Sequence, residues 1–338
     1  MNYQDNDDTE IVQADEQKMP TCLPEDESQR ISCVEYIKQY DISQLAQMLA
    51  HSAEEFVRHV WLRGWQLNTF WACFKSIFRV HTETGNIWTH LLGCGSFFAI
   101  TIFMLIQSGA LLQWQDKLVF SSFFFGAIVC LGLSCLFHTL SCHSKSIGRL
   151  FNRLDYTGIA FLNLGSFVPY LYYSFYCILW AKLFYIISVA VLGIAAVVVS
   201  MHPSFTTPHY RPIRAGVFMG LGLSGVIPCI HTVILDGFFH SVIQGSLGWL
   251  ILMAVLYLSG ATIYAVRVPE RLFPGRFDIW FQSHQIFHVF AVVAALVHYH
   301  GLVKLADYRL STGDCKPDGL NFDSNRLKMF GLDIFPNT

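Results

Sequence analysis

Apolar runs long enough to cross a bilayer recur seven times along this chain, at 87–107, 118–140, 156–176, 183–202, 214–234, 247–266 and 279–302. A hydrocarbon core about 30 Å thick calls for roughly 20 such residues per helix. Inside lipid every backbone N–H and C=O must be paired within the chain, so runs of this length read as helices. The expected fold is all-α: a polytopic membrane protein with a seven-transmembrane helix bundle. Only 14% of the 338 residues are charged and 53% are hydrophobic, with a mean hydropathy of +0.42. A soluble domain carries about 25% charged residues. The net charge of −2 leaves no footprint for nucleic acid.

Polar or proline-bearing stretches separate the runs: Gln113 to Lys117, His143 to Arg153, Pro203 to Pro212, Asp236 to Gln244 and Pro269 to Arg276. Pro169 and Pro228 fall inside the third and fifth runs, where membrane helices tolerate them. Four regions follow. Residues 1–42, rich in Asp, Glu and Gln, read as a disordered tail. Residues 43–80 hold a short amphipathic helix over 43–65 and a pre-membrane segment. In that helix Leu45, Met48, Leu49, Phe56, Val60 and Trp61 recur at helical spacing. Residues 81–303 form the membrane domain, and 304–338 a C-terminal tail. The acidic N-terminus does not read as a cleavable signal, so the first run is expected to direct insertion itself.

Lysines and arginines set the orientation. Arg58, Arg63, Lys75 and Arg79 precede the first run, and the even loops hold Lys145, Arg149, Arg153, Arg211, Arg214, Arg267, Arg271 and Arg276. The odd loops offer Lys117 and Lys182, and the tail adds Lys304 and Arg309. The N-terminus is therefore expected in the cytoplasm and the C-terminus outside. The ten cysteines are scattered without a CxxC pair, so they suggest neither a disulfide framework nor a cysteine metal knuckle.

Against this apolar background, ionisable groups at span ends are functional candidates. His284 and His288 are spaced i, i+4, which puts both rings on one helix face. His138 ends the second run and Asp155 opens the third, and in the expected orientation all four groups share one depth. Three imidazoles with an open fourth position suit zinc. Asp155 reads either as a fourth ligand or as the group that deprotonates a zinc-bound water, the second being favoured. Ser134, one turn before His138, is a candidate partner for the site. His90, His231, His298 and His300 read as interhelical hydrogen-bonding or interfacial histidines, and Glu270 and Asp278 as interfacial charges. The small residues of Gly220 to Gly225 suit close helix packing.

Several stretches then resemble the progestin and adipoQ receptor family, the adiponectin receptors in particular. They are Phe74 to Phe78, His81 to His90, Leu154 to Ala160, Gly165 to Pro169, Arg271 to Asp278 and Ser283 to His288. The resemblance runs over about residues 72 to 303. In place of that family's Pro- and Tyr-rich pre-membrane segment, Gly64 to Trp71 join the amphipathic stretch almost directly to Phe74. The resemblance implies an intramembrane zinc held by His138, His284 and His288 near the cytoplasmic leaflet. It gives Asp155 the zinc water and Ser134 a place in the catalytic motif.

It further implies roles in lipid and glucose metabolism and a plasma-membrane location. Ceramide or fatty acid would occupy the bundle, an adiponectin-like protein would be the extracellular ligand, and a cytoplasmic adaptor would bind the N-terminal region. Two functions are expected on this basis: a receptor with ceramide amide hydrolysis, or a non-enzymatic receptor whose zinc is purely structural. A transporter would call for inverted repeats and a charge-lined path, neither of which is evident.

Overall fold

In the computed structural model, residues 69–106, 113–202 and 211–312 are described. The tail 1–42, the amphipathic helix expected over 43–65 and the tail beyond 312 lie outside them. The described chain is helical, without strands: α1 Phe70–Ser76, α2 Thr84–Ile106, α3 Trp114–Leu140, α4 Lys145–Ser174, α5 Leu179–Met201, α6 Arg211–Leu223, α7 Val226–Asp236, α8 Phe238–Ile243, α9 Leu247–Val266 and α10 Ser283–Thr312. Six stretches among the described residues are long and apolar enough to cross a membrane: α2, α3, α5, Gly216–Asp236 (spanning α6 and α7), α9 and α10. The 30-residue α4 is as long but carries Lys145, Arg149, Arg153 and Asp155 in its first half, and stands outside that set. Large apolar side chains such as Phe98, Phe125, Phe184, Ile194 and Leu258 face outward, more than half exposed. An apolar exterior of this extent suits lipid rather than water.

Helix α3 packs between α2 and α4, α10 lies against α9, α2 and α4, and α5 backs onto α4. The α3–α4 approach depends on glycine. A Cβ on Gly158 would come 2.8 Å from Cys130 Cα, and one on Gly165 would strike the Ser122 carbonyl. Phe97, Phe120, Phe123, Phe124 and Tyr173 fill the interior above this contact. Gly220 and Gly222, by contrast, have nothing within 4 Å, so this part of the small-residue run is not spent on packing among the described residues.

Two prolines behave differently. Pro169 lacks the N–H that would pair with the Gly165 carbonyl one turn earlier. The Ser122 hydroxyl of α3 donates to its own helix at the Val119 carbonyl, 2.7 Å away, and also lies 3.4 Å from that Gly165 carbonyl, and α4 runs on through the proline. Near Pro228 the predicted single span divides into α6 and α7: Ser224 caps back onto the Leu221 carbonyl at 2.6 Å and Ile227 N–H turns to the Ser224 carbonyl.

The largest departure from the predicted boundaries is α4. It begins at Lys145, with Ser144 as N-cap accepting from the Ile147 N–H at 3.4 Å. Asp155 therefore does not open a helix but sits in its third turn. An apolar run marks where lipid begins, and a capped polar helix can extend well beyond it. Cys177, in the turn between α4 and α5, is disulfide-bonded, which the scattered cysteines did not announce.

Candidate metal centre

The expected histidines converge. His138 lies at the last turn of α3 and His284 and His288 in the first two turns of α10, so all three occupy one end of the bundle. One ligand atom from each falls within 4.8 Å of the others. His284 Nε2 and His138 Nε2 are 3.3 Å apart. Two imidazoles bound to one tetrahedral zinc at about 2.0–2.1 Å have their nitrogens roughly 3.3–3.4 Å apart. His138 and His288 are buried, while His284 is half-buried against Tyr264 and Phe287, whose ring centroids lie 5.0 and 6.3 Å from its own. A neutral, all-nitrogen donor set in this spacing fits zinc.

Asp155 is not among the three grouped donors. Its carboxylate lies within electrostatic reach of the Ser134 hydroxyl and of His138. Ser134 itself is buried, four residues before His138 on α3. The site thus has three nitrogens at its centre and a carboxylate to one side.

Three further residues belong here that the sequence reading did not single out for the site. Glu83 Oε2 lies 2.7 Å from His138 Nδ1, and Asn86 Nδ2 donates to the same oxygen at 2.7 Å. His90 is buried and stacks on His288, with neither ring nitrogen hydrogen-bonded. It was expected to be an interhelical hydrogen-bonding residue, as His298 and His231 are: His298 Nε2 lies 3.2 Å from the Ser166 carbonyl and His231 Nδ1 3.0 Å from the Tyr185 hydroxyl. The available signal was the spacing of Glu83, Asn86 and His90, which puts all three on one face of the start of α2.

Glu270, expected as an interfacial charge, instead receives the first backbone N–H of α10. Ser283 N–H donates to Oε2 at 2.8 Å and the Ser283 hydroxyl donates to Oε1. It holds the helix that carries His284 at its start.

Residues 78–299 match the haemolysin-III related family model, which takes in both histidine-bearing helices and α4 between them. The chain belongs to the haemolysin-III related family. It is 49% identical over 340 residues to the adiponectin receptor protein of Drosophila melanogaster, covering 91% of this chain and 77% of that one. It is 49% identical over 304 residues to progestin and adipoQ receptor-like protein 1 of Caenorhabditis elegans, covering 88% and 69%. Heptahelical transmembrane protein 3 of Arabidopsis thaliana is 34% identical over 299 residues, covering 77% and 86%. The family membership and the apolar helices together make this an integral membrane protein of adiponectin-receptor type.

Proposed function

We propose that the chain is a seven-helix membrane receptor with an intramembrane zinc site that hydrolyses the amide bond of ceramide-like lipids. The observation that carries this reading is the grouping of His138, His284 and His288 beside Asp155 inside an apolar bundle. In it α4 is the seventh membrane-spanning helix, lined up with the heptahelical name of the Arabidopsis relative. The N-terminus is cytoplasmic and the C-terminus extracellular. The basic residues around α1 and the even loops support that orientation, and so does the oxidised Cys177 on the opposite side, since disulfides persist outside the cytosol.

His138, His284 and His288 would hold the metal. When bound, zinc polarises a carbonyl and lowers the pKa of its water to about 7. Asp155 takes the proton from the attacking water as general base, and the Ser134 hydroxyl orients its carboxylate. The apolar helix walls accept the acyl chain and keep bulk water from the amide. Addition of one water across the amide gives a free fatty acid and a sphingoid base. In this reading the site lies in the cytoplasmic leaflet of the plasma membrane. An adiponectin-like protein is the extracellular ligand in this reading, and lipid and glucose metabolism the process it regulates, both following the fly relative's name and the family resemblance.

The test is hydrolysis of ceramide by the purified full chain in detergent, with and without chelator. Chelator-sensitive turnover that Asp155→Ala abolishes supports the enzyme. Equal rates in wild type and Asp155→Ala would leave the second reading, a receptor whose zinc only ties α3 to α10.

A further inference from the structure

We propose that Glu83 is a positioning residue of the metal centre, fixing the ring of His138 so that Nε2 is the nitrogen offered to the ion. This rests on the zinc reading above and adds to it a fixed point. A carboxylate is an acceptor only, so across the 2.7 Å contact His138 Nδ1 must be the protonated nitrogen. That leaves the lone pair on Nε2, the atom that faces His284 Nε2 at 3.3 Å. Metal-binding histidines commonly donate their second ring N–H to a carboxylate or carbonyl, which sets both tautomer and ring angle. Of the three histidines, His138 has such an anchor, whereas His284 Nδ1 and His288 Nδ1 have no hydrogen-bond partner.

Glu83 is itself held from two sides. Asn86 Nδ2, one turn along α2, donates to Oε2 at 2.7 Å. The residue before it is tied to the start of α10: Gln282 Nε2 and Gln285 Nε2 donate to the Thr82 carbonyl at 2.8 and 3.3 Å. Gln285 is fixed in turn by accepting from the Phe281 N–H at 2.8 Å and donating to the Ile279 carbonyl at 2.7 Å. Gly85 makes room for this amide, since a Cβ there would lie 2.7 Å from Gln285 Nε2. The turn entering α2 is therefore bound to α10, which carries two of the histidines, and through Glu83 to α3, which carries the third. A carboxylate so placed sets the distance between the two ligand-bearing helices as well as the orientation of one ring.

The experiment is zinc competition against a chromophoric chelator with the purified full chain, comparing wild type, Glu83→Ala, Glu83→Met and Glu83→Gln. The visible spectrum of the cobalt(II)-loaded proteins is recorded alongside, because it reports ligand geometry rather than stability. Glu83→Ala is expected to lose about 10- to 100-fold in affinity and to change the cobalt spectrum. Glu83→Gln, whose amide oxygen still accepts from Nδ1, is expected to lose less and to keep a spectrum closer to wild type. Wild-type affinity and spectrum in Glu83→Ala would overturn the inference. Where that variant fails to fold, wild-type affinity and cobalt spectrum in Glu83→Met, which keeps the length of the side chain but no acceptor oxygen, would overturn it. A wild-type chain that takes up no zinc would instead sink the functional reading itself, so the two failures are distinguishable.

Discussion

His90 on α2 lies face to face with His288 on α10, ring centroids 3.7 Å apart and planes 13° from parallel. Neither nitrogen of His90 has a hydrogen-bond partner, so its contribution to the site is a flat surface that limits the tilt of the ring beside it. Stacked aromatic pairs contribute about 0.5–1.5 kcal/mol beyond area burial. His90→Ala should therefore weaken zinc binding by about 3- to 10-fold, less than loss of any of the three donor histidines. His90→Phe, which keeps a flat ring but no nitrogen, should restore most of it. A Phe variant as weak as the Ala variant would show that the nitrogens matter instead.

Zinc should stabilise the folded bundle by linkage, by about 2.7 kcal/mol at a hundredfold excess over Kd. The thermal midpoint of wild type is expected to rise on adding zinc and that of His284→Ala to stay put. Asp155→Ala, which removes no donor, should keep the zinc-dependent rise. Loss of that rise in Asp155→Ala would move Asp155 into the ligand set.

The contact between α3 and α4 should be intolerant of a single methyl group. Gly158→Ala is expected to lower stability by about 1–3 kcal/mol, because its Cβ meets the Cys130 backbone rather than a side chain that can swing away. Gly216→Ala, with nothing within 4 Å, should be neutral or slightly stabilising, as alanine favours helix. Thermal unfolding of both in detergent checks the pair, and equal effects would refute the close approach.

The link between Glu270 and the start of α10 should be sensitive to acid. Burial alone would raise the Glu270 pKa, but hydrogen bonds from the Ser283 hydroxyl and N–H, with the Arg267 charge, outweigh it and hold the carboxyl below its usual value. A folded pKa below the unfolded one gives stabilisation that is present above the unfolded value, about 4.3, and lost as pH falls through the folded one. Glu270→Gln should thus be less stable than wild type at pH 7, by on the order of 1 kcal/mol. The gap should close as the pH drops below the glutamate range. A gap that persists in acid would place the cause elsewhere.

The sequence showed most clearly what depends on neighbours along the chain. The apolar run 247–266 coincides with α9, and 118–140 and 183–202 differ from α3 and α5 by a few residues at their ends. The i, i+4 pair of His284 and His288 was legible because helix geometry alone puts the two rings together. Charge density misled at the start of α4, where Lys145 to Arg153 read as loop although Ser144 caps a helix through them. The division at Ser224 and Gly225 was also missed. Proline in a membrane helix is compatible with either outcome: α4 runs on through Pro169, while the run that holds Pro228 divides just before it.

Roles set by distant partners were out of reach. Glu83 finds His138 across a long stretch of chain, and Glu270 finds Ser283 across a loop. Nothing local to either carboxylate names its partner. Only the i, i+3, i+7 spacing of Glu83, Asn86 and His90 hinted that this face of α2 was turned inward.

The most direct measurement is the metal content of the purified full chain by elemental analysis, with His138→Ala, His284→Ala and His288→Ala prepared alongside. One zinc per wild-type chain is expected, and its loss from each variant while the protein stays folded. Wild-type protein without zinc, or undiminished zinc in all three variants, would contradict it.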